Sequence, residues 1–190
     1  KLWSGTDTSL TTPTTNEYVG LKNQITNTAT IANDASIVDG LRRKIAEMVA
    51  NEDYDVASTI SAIYINPILL DELEKEVKNA ANTFKNVLAD ETEVIPGLAV
   101  RRIITAAGIL PLIPDPYLAS TPNATSGTDY PMVVLSERLV EYHYVKQYQP
   151  QVFRLGLVGD LTTKWRAVMF GAPIVKAPSV AHCWITVTRE

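Results

Sequence analysis

Apolar residues recur at spacings of three and four from Val38 through Leu41 and Ile45 to Met48, which is one face of an amphipathic helix. The pattern predicts a helix over 38–48, with Asp34 or Ser36 placed to cap its free N–H groups. Arg42, Arg43 and Lys44 are consecutive, so they fan around that helix as a solvated face and do not gather at one anion site. Asn51-Glu52-Asp53 reads as the loop that follows. Residues 60–65 (ISAIYI) are β-branched and aromatic, the mark of a short buried strand. They run into Asn66-Pro67, where Asn suits an N-cap and Pro suits a first helical turn that needs no N–H. The helix predicted next has Leu69, Leu70, Leu73 and Val77 on its apolar side. Glu72, Lys75, Glu76 and Lys78 form its wet side.

The rest of the chain favours strands and turns. Thr11, Thr12, Thr14 and Thr15 surround Pro13, predicting a loop or a short edge strand near the start. Pro96-Gly97 marks a turn before a strand at 98–104. Between Pro111 and Pro131 five prolines alternate with Ser, Thr, Gly and Asn, which predicts a long exposed loop. Further strands are expected at 132–135, 139–145, 151–158, 164–170 and 182–188. Ser136-Glu137-Arg138 separates the first two, and Gly171-Ala172-Pro173 breaks the fourth. In the last strand Cys183, Ile185 and Val187 alternate with Trp184, Thr186 and Thr188, so it should be half-buried. Gly156-Leu157-Val158-Gly159-Asp160 has two glycines and no following Lys, and reads as a hairpin turn. The fold class is α+β: two principal helices in the first half, and a mixed or antiparallel sheet dominated by the second.

Composition narrows the function classes. The 190 residues suit one large domain or two small ones, and 46% hydrophobic with 20% charged residues excludes global disorder. A net charge of −4 argues against a dedicated binder of nucleic acid or anionic membrane, while leaving room for a local basic patch. One cysteine forms no internal disulfide, and two histidines without CxxC or HxxxH spacing do not make a zinc site. No apolar run approaches the ~20 residues of a spanning helix. The opening Lys1-Leu2-Trp3-Ser4-Gly5 is neither a starting Met nor a signal peptide, so the chain is expected to be cut from something longer. Asn123-Ala124-Thr125 matches a glycosylation acceptor by chance.

Catalytic chemistry is sparse. GxGxxG, GxxxxGK[ST] and HExxH are absent. The best fragment of a nucleophile–base pair is Cys183 with His143, Ser136 being the other nucleophile considered; Cys183 on an apolar strand face also reads as a small core residue. Glu72 with Glu76, and Glu137 with Glu141, are carboxylate pairs expected to face solvent. No catalytic, cofactor or metal residues are assigned, and the chain is not expected to be an enzyme. Aromatic residues crowd the last third: Tyr130, Tyr142, Tyr144, Tyr148, Phe153, Trp165, Phe170 and Trp184. Interspersed arginines make the mixture that protein interfaces favour. The interface candidates are Arg138, Arg154, Arg166, Trp165 and Tyr144.

The ordered set of motifs resembles the C-terminal portion of a tailed-bacteriophage major capsid protein, the head-shell fold shared with encapsulins. Trp3-Ser4-Gly5-Thr6-Asp7 leading to Tyr18-Val19-Gly20-Leu21 resembles that family's "GDG … GL" segment. The helix at 38–48 is similar to the one before its central strand, and Ile63-Tyr64-Ile65-Asn66-Pro67 to its strand-then-N/SP junction. Ile95-Pro96-Gly97-Leu98-Ala99-Val100 is similar to its "GLPV" strand, with Pro before the glycine instead of after the leucine. Tyr142 to Val145, Trp165 to Phe170 and Ala172 to Lys176, with the strand holding His182, resemble its closing sheet.

The resemblance implies a structural subunit that self-assembles into pentamers and hexamers of an icosahedral shell around DNA. It implies a peripheral segment at 1–33, an axial domain at 34–140 and peripheral strands at 141–190. The N-terminal arm, spine helix and extended loop of that family are missing. Implied partners are copies of the same chain and scaffold or decoration proteins, with packaged DNA met only indirectly, no membrane and no cofactors. The implied location is the virion, and the host cytoplasm before assembly. Two other classes compete: a carbohydrate-binding or adhesion sheet with Trp165 and Trp184 as stacking platforms, and a small hydrolase using Cys183 or Ser136.

Overall fold

A computed structural model describes residues 2–5, 18–51, 54–79, 88–95, 98–123, 125, 127–145, 151–158, 162–168 and 170–190. The Thr11–Thr15 run, Glu52-Asp53, Pro96-Gly97, Tyr148 and Gly159-Asp160 lie outside the described residues. The elements in chain order are α1 (Leu21–Gln24), β1 (Thr28–Ile31), α2 (Ile37–Val49), β2 (Ala62–Ile65), α3 (Pro67–Asn79), β3 (Leu88–Ile95), β4 (Leu98–Thr105), β5 (Gly108–Pro114), β6 (Thr121–Pro122), β7 (Thr128–Leu135), β8 (Val140–Tyr144), β9 (Gln151–Val158), β10 (Thr162–Val168), β11 (Gly171–Val175) and β12 (Cys183–Arg189). A 3-10 turn at Glu137–Leu139 joins β7 to β8.

The architecture is α+β around a mixed sheet in the order β1-β12-β7-β2-β5-β4-β3, with β6 beside β7. The β1–β12 and β2–β5 pairs are parallel, and the other ladders of this sheet are antiparallel. Residues from the first 33, from the middle and from the last 50 thus share one sheet. Period-two alternation sends Met132 and Val134 to one face, together with Cys183, Ile185 and Val187. There they meet Leu41 and Ile45 of α2 and Leu69 and Leu73 of α3. Each of those fully buried aliphatic side chains contributes about 1.5–3 kcal/mol of transfer free energy. The opposite face carries Val133, Leu135 and Trp184, closed by Trp3, Leu21, Ile25 and Leu118.

Both principal helices start as their sequences require. The Ser36 hydroxyl accepts from the Asp39 N–H at 3.1 Å, capping α2. The Asn66 carbonyl oxygen accepts from the Ile68 N–H at 2.9 Å, while the Asn66 amide donates to the Leu118 carbonyl. Glu76 departs from its expected place on a wet face. Its carboxylate accepts from the Ser36 hydroxyl and from the Ile37 N–H at 2.9 Å, so α3 caps α2 in trans. A negative charge at a helix N-terminus is favourable, and this contact ties the two helices together.

The expected loop over 111–131 is a correction: its two ends are strands β5 and β7, with the two-residue β6 between them. Proline is tolerated wherever a ladder bond is not needed. Pro111 stands opposite Arg102, three pairs along from Thr105↔Gly108, where the alternation of an antiparallel ladder points the absent N–H away from β4. Pro131 lies one residue beyond the Met132↔Ile65 end of the β2 ladder, and its carbonyl still accepts the Asn66 N–H. The preceding strand does end ahead of Gly171-Ala172-Pro173, at Val168, and the chain turns to a different ribbon, but this segment is itself strand. It forms β11 against β8, and a Cβ at Gly171 would meet the Tyr142 ring at 2.5 Å, so glycine lets that ring lie across the ladder. Gly156 to Val158 belong to β9 instead of to a turn.

Candidate interaction surface

Between residues 140 and 175 the chain leaves the main sheet and builds two small antiparallel ribbons, β8 with β11 and β9 with β10. The first is tethered to the body by buried Gln24, which donates to the Pro173 carbonyl at 2.8 Å and accepts the Val175 N–H at 2.9 Å, and it carries polar contacts of its own. Glu141 accepts from the Lys176 ammonium and meets His143 Nε2 at 3.0 Å. The Lys176 hydrogen bond, then the His143 one, hold the Glu141 carboxyl below its ordinary range. Tyr144 ends β8 opposite Gly171 and is 53% exposed.

The second ribbon presents both of its faces to solvent. Residues directly opposite on antiparallel strands share a face. Arg154 stands opposite Trp165 and Val152 opposite Ala167 on one side, and Phe153 opposite Arg166 on the other. Trp165 is 64% exposed, Val152 67% and Phe153 48%. Each face therefore combines an aromatic ring with an arginine. The Arg154 guanidinium lies 6.0 Å from the centre of the Trp165 ring, at the outer limit of a cation–π contact. Among the described residues twelve large hydrophobic side chains are exposed, and seven lie on or beside the two ribbons: Tyr142, Tyr144, Val145, Val152, Phe153, Trp165 and Phe170. Isolated two-stranded ribbons are marginal in water, and the exposed apolar side chains gathered on these two make them the candidate interaction surface.

Of the five sequence-predicted interface residues, Arg154, Arg166 and Trp165 meet on one ribbon and Tyr144 lies on the other. Arg138 is exposed in the 3-10 turn that leads into β8. Val152 and Phe170 were not among them. Both are exposed, Val152 on β9 and Phe170 between β10 and β11, and composition alone does not set them apart from core residues.

Trp184 is a correction to the expected pair of stacking platforms. It is 7% exposed, with Trp3 edge-on at 6.3 Å and the Lys22 ammonium 5.7 Å from its ring. A neighbouring cleft of about 210 Å³, lined by Trp3, Lys22, Tyr117, Asp129 and Trp184 among others, is smaller than the roughly 300–1,000 Å³ of sites that enclose drug-sized ligands.

The nucleophile candidates are held in structural roles. Cys183 is fully buried in the helix-side core, and burial pushes its thiol up to about 11, away from the reactive thiolate. His143 is exposed on β8 and contacts Glu141, so the structure does not bring it to Cys183. Ser136 is buried, and its hydroxyl donates to the Thr59 carbonyl at 2.6 Å. His182, which the sequence left without a role, accepts the Ser136 N–H at Nδ1 (3.2 Å) and donates from Nε2 to the Lys176 carbonyl (3.1 Å). Burial lowers its pKa, so it is the neutral ring that locks this corner. Glu137 accepts from the Tyr64 hydroxyl at 2.6 Å; burial and then this carboxylate raise the phenol's pKa. No group of three metal-ligating side chains comes together among the described residues.

No family model matches this chain, and no curated protein is significantly similar to it. Among the described residues no helix is long and apolar enough to cross a membrane.

Proposed function

We propose that the chain is a structural subunit of a self-assembling shell, of the major-capsid type that its ordered motifs resemble. The observation that carries the reading is the ribbon β9–β10, which exposes Val152 and Trp165 on one face and Phe153 on the other. A monomer gains nothing from that arrangement; a subunit with neighbours buries it. The resemblance assigns residues 34–140 to the capsomer centre and 1–33 and 141–190 to the periphery against adjoining subunits, although β1 and β12 join the central strands in one sheet. The subunit works in the virion after assembly in the host cytoplasm, with scaffold or decoration proteins as further partners. Many modest contacts in a closed array give avidity that no single contact supplies. Light scattering of the full chain across concentration, with negative-stain imaging of the same sample, tests the reading. Rings of five or six, or closed shells, are expected; a strict monomer at the highest soluble concentration would remove it.

A further inference from the structure

The charges of this chain are segregated along it. Residues 138–176 hold six Lys and Arg against two Asp and Glu, a net of +4. The remainder holds eleven against nineteen, a net of −8, giving −4 in all. The basic stretch is the one that builds the two ribbons, of which β9–β10 is exposed on both faces. We infer that the basic, aromatic ribbon β9–β10 of one copy docks on the acidic body of the next, in a head-to-tail contact instead of a self-complementary one. This rests on the self-assembly reading above and adds which surfaces meet.

Two arguments choose this occupant. A symmetric ribbon-on-ribbon contact would set Arg154 of one copy near Arg154 of the other through one face, or Arg166 near Arg166 through the opposite face, and like charges set against each other across an interface are strongly unfavourable. The complementary charge is available on every other copy, because the remainder of each chain sums to −8. A nucleic acid would match the ribbon's charge, but it would approach a chain that is acidic elsewhere, and it offers little to Val152 or to the second apolar face around Phe153. Head-to-tail contacts generate rings when the rotation closes, which a five- or six-fold capsomer needs.

The test is sedimentation velocity of the full chain, at about 50 mM and about 500 mM salt, where screening lengths differ several-fold. The wild type is compared with R154E/R166E, both sites being exposed. Trp165→Ser serves as a second, charge-neutral variant, and circular dichroism checks the fold of each. The wild type should assemble more weakly at high salt. R154E/R166E should stay monomeric, and Trp165→Ser should associate roughly tenfold more weakly. Added to wild type below stoichiometry, R154E/R166E should shorten the assemblies, because its intact body accepts a ribbon while it offers none onward.

If R154E/R166E assembles like wild type, the ribbon contact is wrong and the shell reading stands. If it fails to assemble yet leaves wild-type assemblies unchanged at every ratio, the contact is self-complementary. If its only loss is binding to a thirty-nucleotide poly-dT probe, the ribbon is a nucleic-acid surface. A wild type that is monomeric in both salts removes this inference and the shell reading together.

Discussion

Replacing His182 by Leu tests the buried polar corner that joins β7, β12 and the segment after β11. The ring is fully buried, and its Nδ1 accepts the main-chain N–H of Ser136, itself fully buried. Leu fills similar space and accepts nothing, so that N–H is left without a partner, at a cost of about 1–3 kcal/mol. The Lys176 carbonyl also loses its donor, but Lys176 is exposed and water replaces the bond. The expected loss above neutral pH is therefore about 2 kcal/mol, set by the orphaned N–H.

The pH dependence follows from the direction of the shift. Burial holds His182 below its ordinary 6.5, outweighing the opposing Lys176 bond, so the unfolded chain takes a proton that the folded chain refuses. The contribution is fully present above 6.5 and is lost as the pH falls from there toward the folded value. Each unit of that depression is worth about 1.4 kcal/mol. Urea midpoints followed by tryptophan fluorescence, from about pH 8 down to about pH 5, compare the two proteins across the range in which histidine titrates. The wild type should lose stability below 6.5 more steeply than the variant, so the gap between them narrows; groups present in both proteins largely cancel in the difference. Equal stabilities at pH 8 and parallel slopes below would refute the assignment of His182 as a neutral buried latch.

Substitutions at three further positions probe the framework. A Cβ at Gly20 would stand 2.2 Å from the Ser4 carbonyl carbon, which is main chain and cannot swing aside. Gly20→Ala should therefore cost about 2–3 kcal/mol and disturb Trp3 fluorescence, with an unchanged melting profile counting against this close crossing. Glu76→Ala removes both acceptors at the start of α2, and a loss of about 1–2 kcal/mol is expected in urea unfolding; Glu76→Gln should recover roughly half of it, since the charge at the helix end goes but an acceptor stays. The Arg189 guanidinium donates to the carbonyls of Ala32, Asn33 and Ala35, clasping the last strand to the entry of α2. Arg189→Lys should lose about 1–2 kcal/mol in thermal unfolding because an ammonium cannot span that fork, and the loss should be insensitive to salt because the acceptors are neutral; full rescue by Lys would contradict the geometry.

The legible parts of the fold were those in which local chemistry and tertiary packing agree. Ser36 and Asn66-Pro67 start helices by themselves, and the 183–188 alternation faces a core on the side its apolar residues occupy. Proline misled where it spared the ladder: Pro111 and Pro131 sit at positions whose N–H groups are not needed, a fact set by strand register and invisible from composition. Glu76 looked like a surface carboxylate because its partner lies forty residues upstream. Trp184 shares its strand face with Thr186 and Thr188, and Trp165 lies between Lys164 and Arg166, so neither belongs to an apolar stripe in the sequence. Only the placement of Trp3 and Lys22 over the first, and the solitary pairing of β9 with β10 around the second, separates a core residue from an exposed one. The exposure of Arg154, Trp165 and Arg166 was legible because arginines beside aromatics on a short strand have no core to enter.

The central claim, that the ribbon β9–β10 is an intersubunit surface, is tested most directly by hydrogen–deuterium exchange of the full chain on both sides of its association range. Peptides covering 151–168 should exchange as fast as an exposed two-stranded ribbon in the dilute sample. They should become strongly protected on association, while the α2–α3 core is protected in both. Association without any slowing of 151–168 would place the contacts elsewhere on the molecule and contradict the account.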